Sequence, residues 1–353
     1  MKKLICISFL FGSLFGKVQA QDFHLSMYDA APTFLNPAMT GVFEGEWRLH
    51  THYRTQWKSV NFKPYTTALL SFDAPYKKWG FGGQIVNYRA GIGNYNALQG
   101  LFSLGYTLPI DGRKYHNISF GAQFGITQKS VEYQLHTFDN QYVTTNGGGF
   151  NTAIASGEDF ASNSIMLPDI NSGVLYYYAR QQSRLNPFVG FSAFNMLTPT
   201  ESFFVGANKL PMRFYLHAGT RVNITETIYV IPKALYQMQE NFQELTMAID
   251  GGFYLKSAEL HLLTGFTYRN MDAAIFYVGA RKSHYIAKVG YDINMSSLSP
   301  ASSGRGGFEI SFTYMKQKPN AKTEKICPKA TKERNFSTRR RAPRNRHCWP
   351  TVG

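Results

Sequence analysis

Charged residues and long apolar stretches are both scarce in this chain of 353 residues, and each shortage argues against a class of protein. Charged residues make up 17% of the chain, against about 25% in a typical soluble domain, which disfavours a soluble α/β enzyme. After residue 20, no stretch approaches the roughly 18 apolar residues of a transmembrane helix. Aromatic residues, at 15%, and glycine, at 31 residues, are abundant instead. This composition is typical of a transmembrane β-barrel, in which lipid-facing and lumen-facing residues alternate.

The sequence also lacks the short motifs that mark common catalytic and cofactor sites. It contains no His-Glu-x-x-His, Cys-x-x-Cys, phosphate-loop or Gly-x-Ser-x-Gly motif. The glycine run 147–149 follows no predicted strand-to-helix junction, so we interpret it as a loop and not as a phosphate site. We therefore predict no enzyme activity, no cofactor and no metal.

Residues 1–20 have the pattern of a secretory signal peptide. Met1-Lys2-Lys3 is basic, residues 4–15 are apolar, and Val18-Gln19-Ala20 is a small-residue cleavage site. As a helix, the apolar stretch would rise about 18 Å, too little for a hydrocarbon core of about 30 Å, which disfavours an uncleaved anchor. The mature chain is therefore predicted to begin at Gln21 and to be exported.

The end of the chain, residues 317–353, is predicted to be a basic and flexible tail. From residue 316 onward, 12 lysine or arginine residues face 2 acidic ones, so this end carries most of the formal charge of +15. A solvated tail is the simplest interpretation, and contact with acidic lipid headgroups or an acidic periplasmic partner is the alternative. An exported chain without an aromatic platform is not expected to bind nucleic acid. Cys327 and Cys348 lie in this tail, either as a disulfide or as two separate thiols.

The clearest strand signal is the strict alternation of residues 47–58. The odd positions from Trp47 to Trp57 are aromatic, apolar or threonine, and the even positions are polar. Because side chains alternate between the two faces of a strand, a barrel would direct the even set into its lumen. The candidate lumen-facing residues are Arg48, His50, His52 and Arg54. A soluble β-sandwich with a buried apolar face would show the same alternation.

Two of these residues, His50 and His52, share a face and would need only a third ligand to bind a metal. The positive charges of Arg48 and Arg54 beside them oppose a bound cation. We therefore interpret the histidines as polar residues of the lumen.

The same alternation predicts an all-β fold with about 14 antiparallel strands between residues 46 and 316. The predicted strands are 46–57, 65–74, 79–89, 95–108, 116–131, 169–180, 186–196, 212–224, 228–239, 242–255, 258–269, 272–281, 284–296 and 307–316. An even number of strands of 10 to 14 residues is typical of outer-membrane barrels. The longest connections, 132–168, 197–211 and 297–306, follow odd-numbered strands, so all three are predicted at one end of the barrel.

Residues 21–45 form a separate segment before the first strand. It contains Phe34 and the turn sequence Asn36-Pro37-Ala38-Met39-Thr40-Gly41, and is predicted to be ordered, in or below the barrel. This turn, with Met27-Tyr28 before it and Tyr53-Arg54-Thr55-Gln56-Trp57 after it, resembles the start of the PorP/SprF family of Bacteroidetes. The resemblance extends loosely to about Met315, and the basic extension after Lys329 departs from it. The motif residues carried over are Asn36, Pro37, Ala38 and Gly41.

The resemblance implies an outer-membrane β-barrel of the type IX secretion system. Members of the family support secretion or surface attachment of cargo proteins that carry a C-terminal secretion signal, including gliding adhesins. They work with a periplasmic, peptidoglycan-associated part of the machinery. On this basis both termini are expected in the periplasm, with loops 132–168 or 197–211 in contact with cargo, and residues 21–45 and the tail in contact with the periplasmic partner.

Two other functions fit parts of the pattern. A passive outer-membrane porin would need an open, water-filled bore, and a barrel of 14 strands is wide enough to need a plug if it does not conduct. A soluble β-protein would be extracted from membranes without detergent. The sequence does not distinguish an open lumen from a plugged one, and it does not identify the cargo.

Overall fold

A computed structural model describes residues 24–56, 63–91, 93–180, 183–204, 206, 208–296 and 304–317 of the chain. The predicted signal peptide, all but the first residue of the basic tail, and both tail cysteines, Cys327 and Cys348, lie outside these residues. Within them, no helix is long and apolar enough to cross a membrane.

Fourteen antiparallel strands close into one barrel. A further pair of short strands, β6 and β7, forms a hairpin within a loop. The strands are β1 (Trp47–Gln56), β2 (Tyr65–Tyr76), β3 (Trp79–Ala90), β4 (Tyr95–Pro109), β5 (His116–Ser130), β6 (Tyr142–Val143), β7 (Gly149–Phe150), β8 (Ser164–Tyr178), β9 (Leu185–Phe194), β10 (Arg213–Asn223), β11 (Ile228–Gln239), β12 (Phe242–Leu255), β13 (Leu260–Arg269), β14 (Ala273–Lys282), β15 (Tyr285–Asn294) and β16 (Arg305–Lys316). Each barrel strand pairs with its neighbours in the chain, and β1 pairs with β16 to close the wall, with Trp47 opposite Lys316.

The predicted fold class, an all-β antiparallel barrel of about 14 strands, is confirmed. The largest difference in strand bounds is at β8, which begins at Ser164 and not at 169. The added stretch contains Pro168, a residue that is disfavoured within a sheet. β8 pairs with β5 from Ser164 onward, but its pairing with β9 begins only at Ser172. Pro168 therefore has a partner strand on one side only, and a residue without an N–H group is tolerated at such an edge.

The two ends of the barrel differ in the length of their connections. We call the end that carries residues 131–163 and 195–212 the loop end. The opposite end, where β1 begins and β16 ends, has only short connections such as Lys77-Lys78 and 224–227, and we call it the turn end. The long connections follow β5 and β9, the fifth and seventh strands of the wall, so they share one end, as the parity of the strands predicts. Most of the third predicted connection, 297–306, lies outside the described residues.

Exposure alternates along the strands and separates the two faces of the wall. β15 switches between exposed and buried at every residue. Large apolar side chains such as Ile85, Phe120, Phe276 and Val278 are exposed on the outside. Polar and charged side chains, including Gln123, Asp250 and Glu309, are buried on the inside. Inside-out polarity of this kind is what a lipid-facing barrel requires.

The segment before β1 folds as three short helical turns, Tyr28–Ala30, Pro32–Leu35 and Pro37–Met39. Pro32 and Pro37 each stand at the start of a turn, where the missing N–H group costs no hydrogen bond. The apolar side chains of the segment pack against inward-facing residues of the wall. Leu35 and Met39 pack with Leu175 and Tyr177, and Phe34 belongs to a second cluster with Leu69 and Val86.

Candidate functional site

Residues 24–45 lie inside the barrel and run from its loop half to its turn end; we call them the plug segment. At its start, the carbonyl oxygen of His24 accepts a hydrogen bond from Arg54 Nη1 at 3.0 Å. Near its end, the Gly41 N–H donates to Asp73 Oδ2 at 2.8 Å. Most residues between these two points are buried. The plug segment therefore crosses the lumen along its axis.

The first described residue of the plug segment, His24, lies in the loop half of the lumen. Arg54 holds His24 there by donating a hydrogen bond to its carbonyl oxygen. Arg54 and Arg269 also both donate to Ser26 Oγ, two residues further along the plug segment. The chain then descends toward the turn end, where β1 starts. Residues 21–23 lie outside the described part of the chain.

The turn Asn36–Gly41, singled out by its resemblance to a family motif, docks the plug segment on β8 and β9. Asn36 Oδ1 accepts from the Ala38 N–H at 2.9 Å, which caps the turn Pro37–Met39. Asn36 Nδ2 donates to the carbonyl oxygens of Val174 at 3.1 Å and Phe191 at 3.3 Å. The Asn36 side chain thus caps the turn Pro37–Met39 and also bonds to both β8 and β9.

Gly41, the last residue of the motif, needs to be glycine for two reasons. Its φ of +74° lies in the left-handed region that favours glycine. A Cβ atom added to it would also lie 2.6 Å from Gly80 Cα, and one added to Gly80 would lie 2.1 Å from the Thr40 carbonyl oxygen. Glycine on both sides therefore lets the two backbones touch.

The wall beside the plug segment is lined with further glycines. A Cβ atom on Gly121 would lie 2.1 Å from the Pro37 carbonyl carbon, and one on Gly173 would lie 2.0 Å from Asn36 Oδ1. The glycines in such contact with the motif turn are Gly80, Gly105, Gly121, Gly173 and Gly190. They form a surface without side chains against which the turn packs directly, and we call it the glycine wall.

The four residues predicted to face the lumen from β1 are all buried, and their partners belong to other strands or to the plug segment. Arg48 pairs with Asp73 through two contacts, Nε to Oδ1 at 2.9 Å and Nη2 to Oδ2 at 2.8 Å. The same carboxylate accepts from Gly41 N. Arg48 therefore orients the acceptor that holds the end of the plug segment.

The two histidines of β1 both contact β16. His50 Nδ1 lies 2.8 Å from Thr313 Oγ1, and His52 Nε2 lies 3.1 Å from Glu309 Oε2. Their ring centres are 5.8 Å apart. These partners place His50 and His52 in the hydrogen-bonded seam between the first and last strands.

Arg54 is the centre of a buried polar cluster between the wall and the plug segment. Its guanidinium contacts Glu309 and Asp292, each at 2.9 Å, and Ser26 Oγ at 2.6 Å. Glu309 accepts from the backbone N–H groups of Ser26 at 2.6 Å and Met27 at 2.8 Å. Buried charges are costly unless they are paired and hydrogen-bonded, and these groups satisfy one another across the plug contact.

A second buried cluster, with residues from β11, β12 and β15, includes an acid of the plug segment. Lys233 pairs with Asp29 at 2.5 Å and with Asp250, and Lys288 lies 3.8 Å from Asp29. Burial opposes ionisation of Asp29, but the two ammonium groups outweigh it and hold its pKa below the usual range. None of these residues is among the candidates predicted from the sequence. The feature of the sequence that points to this cluster is Lys233, the one charged residue of β11, at a position that faces the lumen.

Above the plug segment, the loop end of the lumen is open as a cavity of about 500 Å³, which we call the vestibule. Its floor includes His24 and Arg269, and its lining near the mouth includes Tyr65, Tyr88 and Met271. Burial lowers the pKa of His24 well below its ordinary value, and the guanidinium groups of Arg269 and Arg54 lower that pKa further. His24 is therefore neutral at the base of the vestibule.

Three side chains on the vestibule wall, His24, Glu244 and Asp272, have ligand atoms within 4.8 Å of one another, close enough to hold a metal ion. Arg269 pairs with both acids, at 2.7 Å to Asp272 and 3.6 Å to Glu244. Because the positive charge of Arg269 is already paired with both acids and would repel a cation, the arrangement is better described as an ion-pair network.

The two long connections at the loop end touch each other. Phe160 and Phe204 form a β-bridge, the Ala161 N–H donates to the Phe203 carbonyl at 2.9 Å, and the Tyr133 ring stacks on Phe160 at 4.3 Å. Several of their large apolar side chains remain exposed: Leu135, Tyr142, Phe150, Met196, Leu197 and Phe204. We call this set the loop-end apolar surface. Exposed apolar side chains gathered on loops are typical of a contact surface.

Comparison with known protein families identifies the chain. The family described as "Type IX secretion system membrane protein PorP/SprF" matches residues 17–314. The chain belongs to the PorP/SprF family. With its closed wall and apolar outer face, this PorP/SprF protein is an outer-membrane β-barrel of the type IX secretion family.

Solved barrels with low sequence identity align over most of the PorP/SprF chain. The CymD monoaromatic hydrocarbon channel is 11% identical with a TM-score of 0.47, and the alignment covers 82% of this chain and 93% of CymD. The Ralstonia pickettii toluene transporter TbuX is 10% identical with a TM-score of 0.47, and covers 82% and 95%. A Pseudomonas aeruginosa FadL homologue is 10% identical with a TM-score of 0.45, and also covers 82% and 95%. No curated protein sequence matches the chain.

Proposed function

We propose that this PorP/SprF barrel is a component of the type IX secretion system that supports secretion or surface anchoring of cargo proteins at its loop end. The observation that carries the proposal is the plug segment. It bonds to the wall through Asn36 on one side of the lumen and through Ser26 and Asp29 on others. A barrel filled in this way does not act as a passage, so its useful surfaces are at its two ends.

The loop-end apolar surface and the vestibule are the proposed cargo contacts. Residues 131–163 and 195–212 hold each other in place through Phe160 and Phe204, which gives a partner an ordered surface. The cargo would be a protein with a C-terminal secretion signal, such as an adhesin. Aromatic side chains that are exposed before binding are the residues that most often dominate the binding energy of an interface.

The turn end is the proposed periplasmic side. The short connections of outer-membrane barrels face the periplasm, and β16 ends there at Lys316, so the basic tail would begin there. Residues of this end are the proposed contact with the secretion machinery and with a periplasmic, peptidoglycan-associated protein. The plug segment also approaches the turn end, at Gly41.

A passive porin is the alternative function. The vestibule is open to the loop end, but the plug segment lies beneath it, with the buried Arg54 cluster as the contact. Purified full-length protein in planar bilayers should show no stable open-channel conductance. Steady conductance of porin size would favour the porin and contradict the anchoring proposal.

The cargo contact is tested by two variants of the loop end. One replaces two exposed aromatic residues, Tyr142→Ser and Phe150→Ser, each 52% exposed. The other replaces residues 197–211 by a short Gly/Ser turn. We expect both to assemble in the outer membrane and to reduce the amount of cargo at the cell surface, as measured by surface labelling of the cargo protein.

The matched control places the same kind of change on the turn end. Ile110→Ser and Ile224→Ser remove apolar side chains that are 57% and 53% exposed. Binding of the cargo protein to the purified barrel, which does not depend on the secretion machinery, should stay at the wild-type level in these variants and fall in the loop-end variants. Affinity purification of tagged protein from detergent-solubilised envelopes identifies the partner. Undiminished surface cargo in both loop variants would show that the loop end is not the contact.

A further inference from the structure

Basic side chains gather on three neighbouring connections of the turn end. The connections after β2, β4 and β8 contain one acidic residue, Asp111, and six basic residues: Lys77, Lys78, Arg113, Lys114, Arg180 and Arg184. We call these six the basic turn patch. All six are exposed, so their charge is available to a partner.

The three connections lie side by side along the wall. The Thr107 N–H on β4 donates to the Lys78 carbonyl at 2.8 Å, which joins the first connection to the edge of the second. The Ala179 N–H donates to the Tyr115 carbonyl at 2.8 Å, which joins the second connection to the third. The patch is therefore one continuous arc over β2 to β9 and not a set of scattered charges.

Aromatic side chains directly beside the patch fix its depth relative to a membrane. Tyr76 is 61% exposed and Trp79 is 49% exposed. The Trp79 ring packs against Tyr106, with ring centres 4.8 Å apart. Exposed Trp and Tyr at the end of a barrel wall lie at the level of the lipid headgroups.

Two basic groups of the patch fold back onto this aromatic level. Lys77 Nζ lies 5.3 Å from the centre of the Tyr76 ring, and Arg180 Cζ lies 5.5 Å from the centre of the Tyr115 ring. These two positive charges are thereby held at the level of the aromatic rings, which in outer-membrane barrels is the level of the lipid headgroups.

Elsewhere in the described turn end, basic residues are more nearly balanced by acids. Lys256 lies 3.8 Å from Glu226, and Lys316 pairs with Glu46 at 3.0 Å. At the loop end of the same sector, residues 131–163 contain four acidic residues and no lysine or arginine. Positive charge in the connections of β2 to β9 is thus denser at the turn end than over residues 131–163, which favours anionic lipid at the turn end.

We propose that the basic turn patch binds the phosphate headgroups of anionic phospholipids in the leaflet at the turn end. This binding is separate from the proposed role in secretion. It would fix the height and rotation of the barrel relative to that leaflet. A basic residue near an anionic surface favours binding by about fivefold, so an arc of six gives a local preference for anionic over zwitterionic lipid.

The test uses full-length protein in which Trp79 is the single tryptophan, made by Trp47→Phe, Trp57→Phe and Trp349→Phe. The protein is reconstituted in vesicles of phosphatidylglycerol and phosphatidylcholine, with one lipid brominated at a time, and quenching of Trp79 reports the lipid beside it. We expect a relative affinity for phosphatidylglycerol of about fivefold or more. The preference should be lost in K77Q/K78Q/R113Q/K114Q and should weaken at high salt.

The matched control is a chain in which Phe253→Trp supplies the single tryptophan and Trp79 is also replaced by Phe. Phe253 is 43% exposed near the turn end of β12, beside the balanced pair Lys256–Glu226, and a tryptophan there should show no preference. Equal quenching of Trp79 by both lipids, or a preference that survives the fourfold substitution, overturns the proposal. Equal quenching together with loss of a co-purified acidic protein in the fourfold variant would show that the patch recognises a protein instead.

Discussion

Arg54 on the first strand and Glu309 on the last strand are register partners across the seam that closes the barrel, and their side chains form an ion pair at 2.9 Å. The same two residues hold the plug segment. Arg54 donates to the His24 carbonyl and to Ser26 Oγ, and Glu309 accepts from the N–H groups of Ser26 and Met27. Closure of the wall and seating of the plug segment are therefore one structural event.

This coupling predicts a large effect of Glu309→Gln. The variant keeps the shape of the side chain but leaves Arg54 buried with Asp292 as its remaining acidic partner. Removing one member of a buried pair costs about 3–5 kcal/mol, and we expect a loss of that order in the free energy of unfolding, measured by denaturant titration of the refolded barrel.

The control for this loss lies at the opposite end of the same strand pair. Glu46→Gln, just before β1, removes the partly exposed partner of Lys316, and a surface pair is worth about 1 kcal/mol or less. Equal losses in the two variants would mean that the buried pair has no special role in closing the barrel.

The glycine wall predicts that one added side chain displaces the plug segment. Gly121→Val places atoms where the backbone of Pro37 and Ala38 now lies, 2.1–2.2 Å from the Cβ position. The wall itself can still form, because the clash is with the plug segment. We expect faster protease cleavage within residues 24–45 and channel openings in planar bilayers.

Gly100→Val is the matched control for the glycine wall. Nothing lies within 4 Å of a Cβ atom at Gly100, which is also in a barrel strand. This variant should keep the protease resistance and the closed state of the wild type. Displacement in both variants would point to weakened strands and not to a clash.

Asn36→Ala should weaken the plug segment through unsatisfied backbone groups. The substitution removes the acceptor for Ala38 N and leaves the carbonyls of Val174 and Phe191 without this donor. A buried group left unpaired costs about 1–3 kcal/mol. We expect a lower thermal unfolding midpoint than for Asn140→Ala, which removes one hydrogen bond from an exposed loop. An equal midpoint for the two variants would contradict the docking role of Asn36.

His24 predicts a pH dependence of stability with a defined sign. Its pKa in the folded protein is well below the ordinary 6.5, through burial and through the charges of Arg269, Arg54 and Arg213, which outweigh Glu309. Below pH 6.5 the unfolded chain therefore binds a proton that the folded chain does not, and stability falls as the pH falls. The drop in unfolding midpoint from pH 7.5 to pH 5.5 should be smaller in His24→Gln. An equal drop would exclude His24 as a source.

The strands of the barrel wall were predictable from local sequence because apolar and polar residues alternate along each strand, and alternate residues face opposite sides of the wall. Strands β11 and β12 have the predicted bounds, 228–239 and 242–255. The prediction was less accurate at β8, which contains Pro168, a residue that is disfavoured within a sheet. What permits a strand there is the delayed start of pairing with β9, which is a property of the neighbouring strand and not of the segment itself.

The candidate site was only partly accessible from sequence. The alternation indicates which side of β1 carries Arg48, His50, His52 and Arg54, and the motif draws attention to Asn36 and Gly41. Their partners are far away in the chain: Glu309 lies 255 residues from Arg54, and Val174 lies 138 residues from Asn36. No local pattern specifies which of many inward polar residues meet across a closed barrel.

The sequence by itself determined that the protein is a membrane β-barrel. Scarce charge, abundant aromatic residues and strict alternation are together typical of a barrel whose strands have lipid on one side. The tertiary structure alone decided what fills the lumen. Whether the plug segment enters, and in which direction it runs, depends on the fit of its backbone against the glycine wall and on ion pairs such as Arg54–Glu309. Those contacts exist only after fourteen strands have closed and brought distant residues to within 3 Å of one another.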